Sequence, residues 1–119
     1  MHIAILTFDG FNELDSLIAL GILNRIKKPD WRVTLSCPSS VVTSMNGVMV
    51  HAQSTLAQAS EADAVLFGSG MKTRDIANDP GVMAQLNLDP ARQLIGAQCS
   101  GTLMLAKLGL LNKIPACTD

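Results

Sequence analysis

Apolar positions along the chain fall into short dense runs separated by stretches of helical spacing. Residues 2–7, HIAILT, form an apolar run that predicts a buried strand. A turn follows at Asp9-Gly10, and from Asn12 the spacing lengthens. Leu14, Leu17, Ile18, Ile22 and Ile26 then fall near one helical face, with Leu20 and Leu23 beside it. Asn12 is placed to cap this helix, and Glu13 and Asp15 sit in its first turn, where the helix dipole favours negative charge. Arg25, Lys27 and Lys28 would close it with the matching sign, and Pro29 stops it.

Residues 31–37, WRVTLSC, alternate and predict a second strand. Two β-branched or apolar stretches flank Met45-Asn46-Gly47, and Asn-Gly is a hairpin signal. A short helix is expected from Thr55 to Ala62, then a third strand at 63–67, DAVLF, ended by Gly68-Ser69-Gly70. Met71 to Asn78 reads as helical, and Asp79-Pro80 as a cap and first helical residue opening a helix to about Leu86. Residues 93–98, QLIGAQ, predict a fourth strand, and Ser100 to Leu108 a helix that Gly109 can terminate.

Strands that are apolar on both faces and alternate with helices predict an α/β fold, with a mostly parallel sheet sandwiched between helical layers. A length of 119 residues suits one domain, 1–119. In such sheets ligands bind beyond the carboxyl ends of the strands. That rule selects the loops at 8–12, 68–71 and 98–100.

Composition narrows the function classes. The chain is 48% hydrophobic and 16% charged, which is globular, and its net charge of −1 gives no reason to expect nucleic acid or an anionic membrane as partner. Aromatic residues, at 3%, are too few for a stacking platform. No apolar run is long enough to span a bilayer, and no signal peptide is visible, so a cytoplasmic setting is expected. Cys37, Cys99 and Cys117 make an odd count without a C-x-x-C pair, as expected of reduced thiols. His2 and His51 lack neighbours at metal-ligand spacing, so neither a zinc site nor a cofactor is expected.

The most informative stretch is Ala97-Gln98-Cys99-Ser100-Gly101, which ends an apolar run and opens a helix. A nucleophile elbow needs small residues two positions either side of the nucleophile, because its turn is tight; Ala97 and Gly101 fit. A helix beginning at Ser100 would aim N–H groups at the sulfur, favouring the thiolate and offering donors to an oxyanion. The same pattern is also compatible with an inert buried cysteine, which is the expectation for Cys37 and Cys117. Asp15 would lie beside the elbow, where a carboxyl could trade a proton with the sulfur; it could equally be an ordinary helix N-terminal acid. Two anions in contact disfavour each other, so such a pair would share one proton. Ser69 and Gly70 could add amide donors or could simply form a βα turn. Arg74 could clamp a substrate carboxylate or stand solvated.

Together these residues resemble the DJ-1/PfpI (ThiJ) superfamily, whose fold is flavodoxin-like, a three-layer α/β/α sandwich with the elbow after a central strand. HIAILTFDGFNELDSLIALGILNR is similar to the family's first strand, loop and helix, and its acid position falls on Asp15. DAVLFGSG resembles the strand ending in a glycine pair, with Ser69 at the first glycine and Gly70 at the second. GAQCSGTLMLAKLGLLNKIPACTD resembles the elbow, its helix and the following strand, with Cys99 as nucleophile. The resemblance implies a glutamine-amidotransferase-like chain that acts on or binds a small molecule, and a homodimer. Peptidase-like members carry histidine after the cysteine, whereas this chain has Ser100, nearer to the threonine of isonitrile-hydratase-like members. Asp119 stands where many members have a histidine, so the usual Cys–His base is not supplied. Members usually continue for several tens of residues, so a C-terminally incomplete domain with an exposed apolar sheet edge is expected. The implied activity is a hydratase, lyase or hydrolase reaction at Cys99 assisted by Asp15; the alternative is a non-catalytic redox-sensing or ligand-binding domain.

Overall fold

A computed structural model of the chain describes residues 1–110. β1 (His2–Leu6) lies at the centre of a five-stranded sheet. β2 (Arg32–Cys37) pairs with it on one side and β6 (Ala64–Phe67) on the other, both parallel. A two-residue strand, β5 (Ser54–Thr55), extends the sheet beyond β2, and β7 (Leu94–Ala97) extends it beyond β6. The order β5-β2-β1-β6-β7 reverses direction between β1 and β6, which is where an open α/β sheet forms its crevice. β3 (Val41–Thr43) and β4 (Met49–His51) form a separate antiparallel hairpin, turned at the predicted Asn46-Gly47, with Gly47 at φ +86°.

Alternate residues of each strand feed two cores. Ile3 and Ile5 of β1 join Val33, Leu35, Cys37 and Val42, under α1 (Glu13–Leu23). Ala4, Leu6, Val65 and Phe67 face the other way, onto α2 (Leu56–Ala59), α3 (Thr73–Ala77) and α5 (Thr102–Lys107). This gives the three expected layers. α4 (Pro80–Met83) begins at Pro80 with Asp79 as its cap, as the sequence predicts. No helix is long and apolar enough to cross a membrane among the described residues.

Two expectations need correction. α1 ends at Leu23 with Asn24 as its C-cap, so Ile26 and the basic residues Arg25, Lys27 and Lys28 lie beyond it and no basic residue stands in its last turn. Its inward face is Ser16, Leu17, Leu20 and Leu23, whereas Leu14, Ile18 and Ile22 are 68%, 51% and 58% exposed. A helix apolar around most of its girth does not reveal its buried side by periodicity alone. β7, which leads into the elbow, is the last strand on its side of the sheet among the described residues, with β1 and β6 between it and β2. Leu94 on that edge is 70% exposed. The predicted strand after α5, together with Cys117 and Asp119, lies outside the described residues.

Candidate functional site

The site is built where three chain segments leave the sheet at the same end. The first is the loop from Thr7 to Asn12, which Phe11 ties to Gly70 by an antiparallel bridge. Asn12 N–H donates to Ser69 O at 2.9 Å and Met71 N–H to Gly10 O at 3.1 Å, so the loop after β1 and the loop after β6 are laced together by backbone bonds. The fit leaves no room for a side chain at Gly70: a Cβ there would stand 2.6 Å from Gly10 O. Asn12 then accepts from Leu14 N–H at 3.0 Å and starts α1, as predicted.

The third segment is the elbow. Cys99 has φ +47°, making it the one non-glycine residue with positive φ among those described. The left-handed region is unfavourable for a residue with a Cβ, and such strain recurs at functional turns. Cys99 opens a single 3₁₀ turn, Cys99–Gly101, that runs into α5, so the α-helix itself starts at Thr102, two residues later than the sequence implies. Gly101 is demanded by contact: a Cβ there would stand 2.6 Å from Phe67 O and 2.7 Å from Gly68 O. The small residue expected two positions after the nucleophile therefore lets the elbow sit against the end of β6. The Cys99 side chain is exposed, unlike that of Cys37, which is only 2% exposed. Burial, with Asp9 nearby, pushes the Cys37 thiol up to about 11.

Hydrogen bonds gather the predicted residues around this turn. The Ser69 hydroxyl donates to the Asp15 carboxylate, and the Gln98 side-chain amide donates to the Asp15 carbonyl at 3.1 Å. Asp15 is thus bound both to the loop after β6 and to the residue preceding Cys99. The Ser100 hydroxyl accepts from Gly70 N–H at 3.2 Å and lies 3.0 Å from the Thr73 hydroxyl, which joins the elbow to α3. The Gly70 amide, expected to face a developing anion, is therefore already engaged by Ser100. Ser69 likewise spends its hydroxyl on Asp15, and it is 5% exposed. The other acid of the first turn, Glu13, is occupied elsewhere. Its carboxylate accepts from Ser44 at 2.5 Å and Asn46 at 2.7 Å, bonds that hold it below the usual carboxylate range and pin the hairpin to α1. The two acids are thereby sorted: the Glu13 carboxylate to the hairpin, the Asp15 carboxylate to the loop after β6.

Sequence reasoning missed Gln98 and Thr73. Gln98 lies within a loop it did select and Thr73 just beyond another, yet no local pattern marks a side chain whose partner lies 83 residues away, as that of Gln98 does. Arg74 is exposed on α3. A small cavity of about 10 Å³, lined in part by Phe8, Phe11, Ser69, Gly70 and Met104, lies beneath the site. That space is about one water and not a substrate, and Cys99 is not among the residues that line it. No group of three His, Cys, Asp or Glu side chains that could hold a metal comes together among the described residues.

Comparison with known proteins bears on the fold that carries this site. A family profile described as DJ-1/PfpI family matches residues 1–118. A cysteine-to-alanine mutant of a DJ-1 superfamily protein from Salmonella typhimurium superposes with a TM-score of 0.74 at 28% identity, over 92% of this chain and 62% of that one. Oxidized Toxoplasma gondii DJ-1 gives a TM-score of 0.76 at 19% identity, over 93% and 62%. Drosophila melanogaster DJ-1beta gives 0.73 at 22%, over 92% and 60%. The chain thus spans about three-fifths of the length of these structures. No functionally curated protein matches it.

Proposed function

The chain belongs to the DJ-1/PfpI family, and from that premise we propose that it performs cysteine-dependent chemistry on a small electrophilic molecule, with Cys99 as nucleophile and Asp15 as its proton partner. The observation that carries this reading is the strained, exposed Cys99 on a turn whose neighbour Gln98 is hydrogen-bonded to Asp15. The thiolate adds to an electrophilic carbon, of an isonitrile or a carbonyl compound, forming a C–S bond. Asp15 delivers its proton to the atom that gains the electron pair. Water then adds to the same carbon, the C–S bond breaks, and the proton released by water returns to the carboxylate. Ser100 in place of a histidine favours hydration of this kind over peptide hydrolysis, because no imidazole follows the nucleophile to protonate an amine leaving group. Such chemistry suits the cytoplasm, where the thiol stays reduced.

The test is the rate of Cys99 alkylation by iodoacetamide as a function of pH, alongside turnover of a panel of isonitriles and α-ketoaldehydes. Cys99 is expected to be alkylated faster at neutral pH than a thiol in a short peptide, and Asp15→Asn to change that rate by about tenfold. A Cys99 indistinguishable from a thiol in a short peptide sinks the reading. A redox-sensing role shares the same exposed sulfur. Sulfinic acid formed selectively at Cys99 under mild peroxide, with no turnover of any panel member, would favour that role instead.

We also propose self-association through the outer face of α1, where Leu14, Ile18 and Ile22 form an exposed apolar line at i, i+4, i+8 spacing. Gly21 lies on the exposed side of the helix, and a Cβ there would meet nothing within 4 Å, so another backbone can approach closely.

A further inference from the structure

We propose that Ser69 and Gln98 are positioning residues that clamp Asp15 from two sides, Ser69 through its hydroxyl on the carboxylate and Gln98 through its amide on the backbone carbonyl. The inference rests on Asp15 serving Cys99, as proposed above. Asp15 is only half-buried and sits in the first turn of α1, where chain ends fray. A carboxylate there has rotamers that leave the elbow, and an acid that leaves cannot exchange a proton with the sulfur. The Ser69 bond fixes one oxygen, Oδ2, and leaves Oδ1 for other partners.

The Gln98 bond acts on the main chain. Its amide nitrogen spans from the residue before the nucleophile to Asp15 O, so the elbow and the first turn of α1 move as one body. The orientation of that amide is fixed by chemistry, since turning it over would set two oxygens against each other. Its Oε1 is buried among the described residues with no hydrogen-bond partner. An orphan acceptor of that kind is destabilising. A side chain retained at that cost for the sake of one contact is more consistent with positioning than with packing. Ser69 is similarly specific. It stands between two glycines in a loop where its main chain already bonds Asn12, so its hydroxyl adds nothing to the loop's closure that the backbone lacks.

The experiment is a double-mutant cycle read by iodoacetamide alkylation of Cys99 at neutral pH in the full chain. Asp15→Asn is compared in the native background, in Ser69→Ala and in Gln98→Met, with folding checked by circular dichroism and melting temperature. The effect of Asp15→Asn is expected to shrink by about two- to tenfold in either background, because an unheld acid has less influence to lose. If Asp15→Asn alters the native rate and keeps its full effect in both backgrounds, the clamp is overturned while the catalytic reading stands. Full effect in only one background removes that residue from the clamp. If Asp15→Asn leaves the native rate unchanged, the catalytic reading itself fails and the clamp fails with it. A purely structural role would lower the melting temperature without altering the ratio.

Discussion

At the residue scale, Cys99 combines strain with exposure, and the two are separable. Cys99→Ala and Cys99→Gly both remove the sulfur, but only alanine keeps a Cβ at φ +47°. Cys99→Gly is therefore expected to be more stable than Cys99→Ala by about 1 kcal/mol in urea unfolding, after allowing for the greater entropy of glycine in the unfolded chain. Equal midpoints would show that the turn carries no strain. Cys37 gives the opposite case. Its thiol is raised from 9.0 to about 11, mainly by burial, so the unfolded chain releases that proton first as pH rises. The stabilisation is fully present below pH 9 and is lost between pH 9 and about 11. Urea midpoints measured across that interval should fall more steeply for the native chain than for Cys37→Ala. Peptide mapping after brief alkylation at pH 8 should find label on Cys99 and not on Cys37.

At the element scale, the connections made by buried polar side chains decide how the loops stack. Gln93, 4% exposed, donates to Ala62 O at 2.7 Å and Ser60 O at 3.1 Å and accepts from Asp89 N–H at 2.9 Å. It joins the start of β7 to the end of α2. Gln93→Leu fits the space but orphans those backbone groups, and a loss of about 2–4 kcal/mol is expected in denaturant unfolding. Elements of this kind were legible in the sequence wherever the signal was local: Asn12 before α1, Asp79-Pro80 before α4, Asn46-Gly47 between β3 and β4. The elbow was legible for the same reason, since Ala97 and Gly101 bracket Cys99 within five residues. What could not be read was the orientation of α1, because Leu14, Ile18 and Ile22 are as apolar as the leucines that face inward. Nor could the engagement of the Gly70 amide by Ser100 be read, since it depends on how two loops 30 residues apart meet.

At the scale of the whole molecule, two exposed apolar features stand out: the outer line of α1 and the β7 edge with Leu94. The hairpin that Glu13 pins to α1 through Ser44 and Asn46 has exposed apolar side chains of its own, Met45, Val48 and Met49, at 38%, 44% and 69%. Exposed apolar side chains that cluster on one face mark association surfaces when the patch is large. Ile18→Glu is expected to convert a dimer to a monomer in sedimentation analysis while leaving the circular dichroism spectrum unchanged. A native chain that sediments as a monomer at high concentration would sink the self-association proposal.

The binding of Asp15 to both Ser69 and Gln98 has one more consequence. The parts of the elbow's surroundings come from the beginning, the middle and the far end of the described chain, and they meet only once β1, β6 and β7 lie side by side. A chain caught half-assembled has the same sulfur but none of its company. Fast modification of that single atom would then mark molecules that had completed their folding, turning the thiol into a built-in gauge of the conformational quality of a preparation.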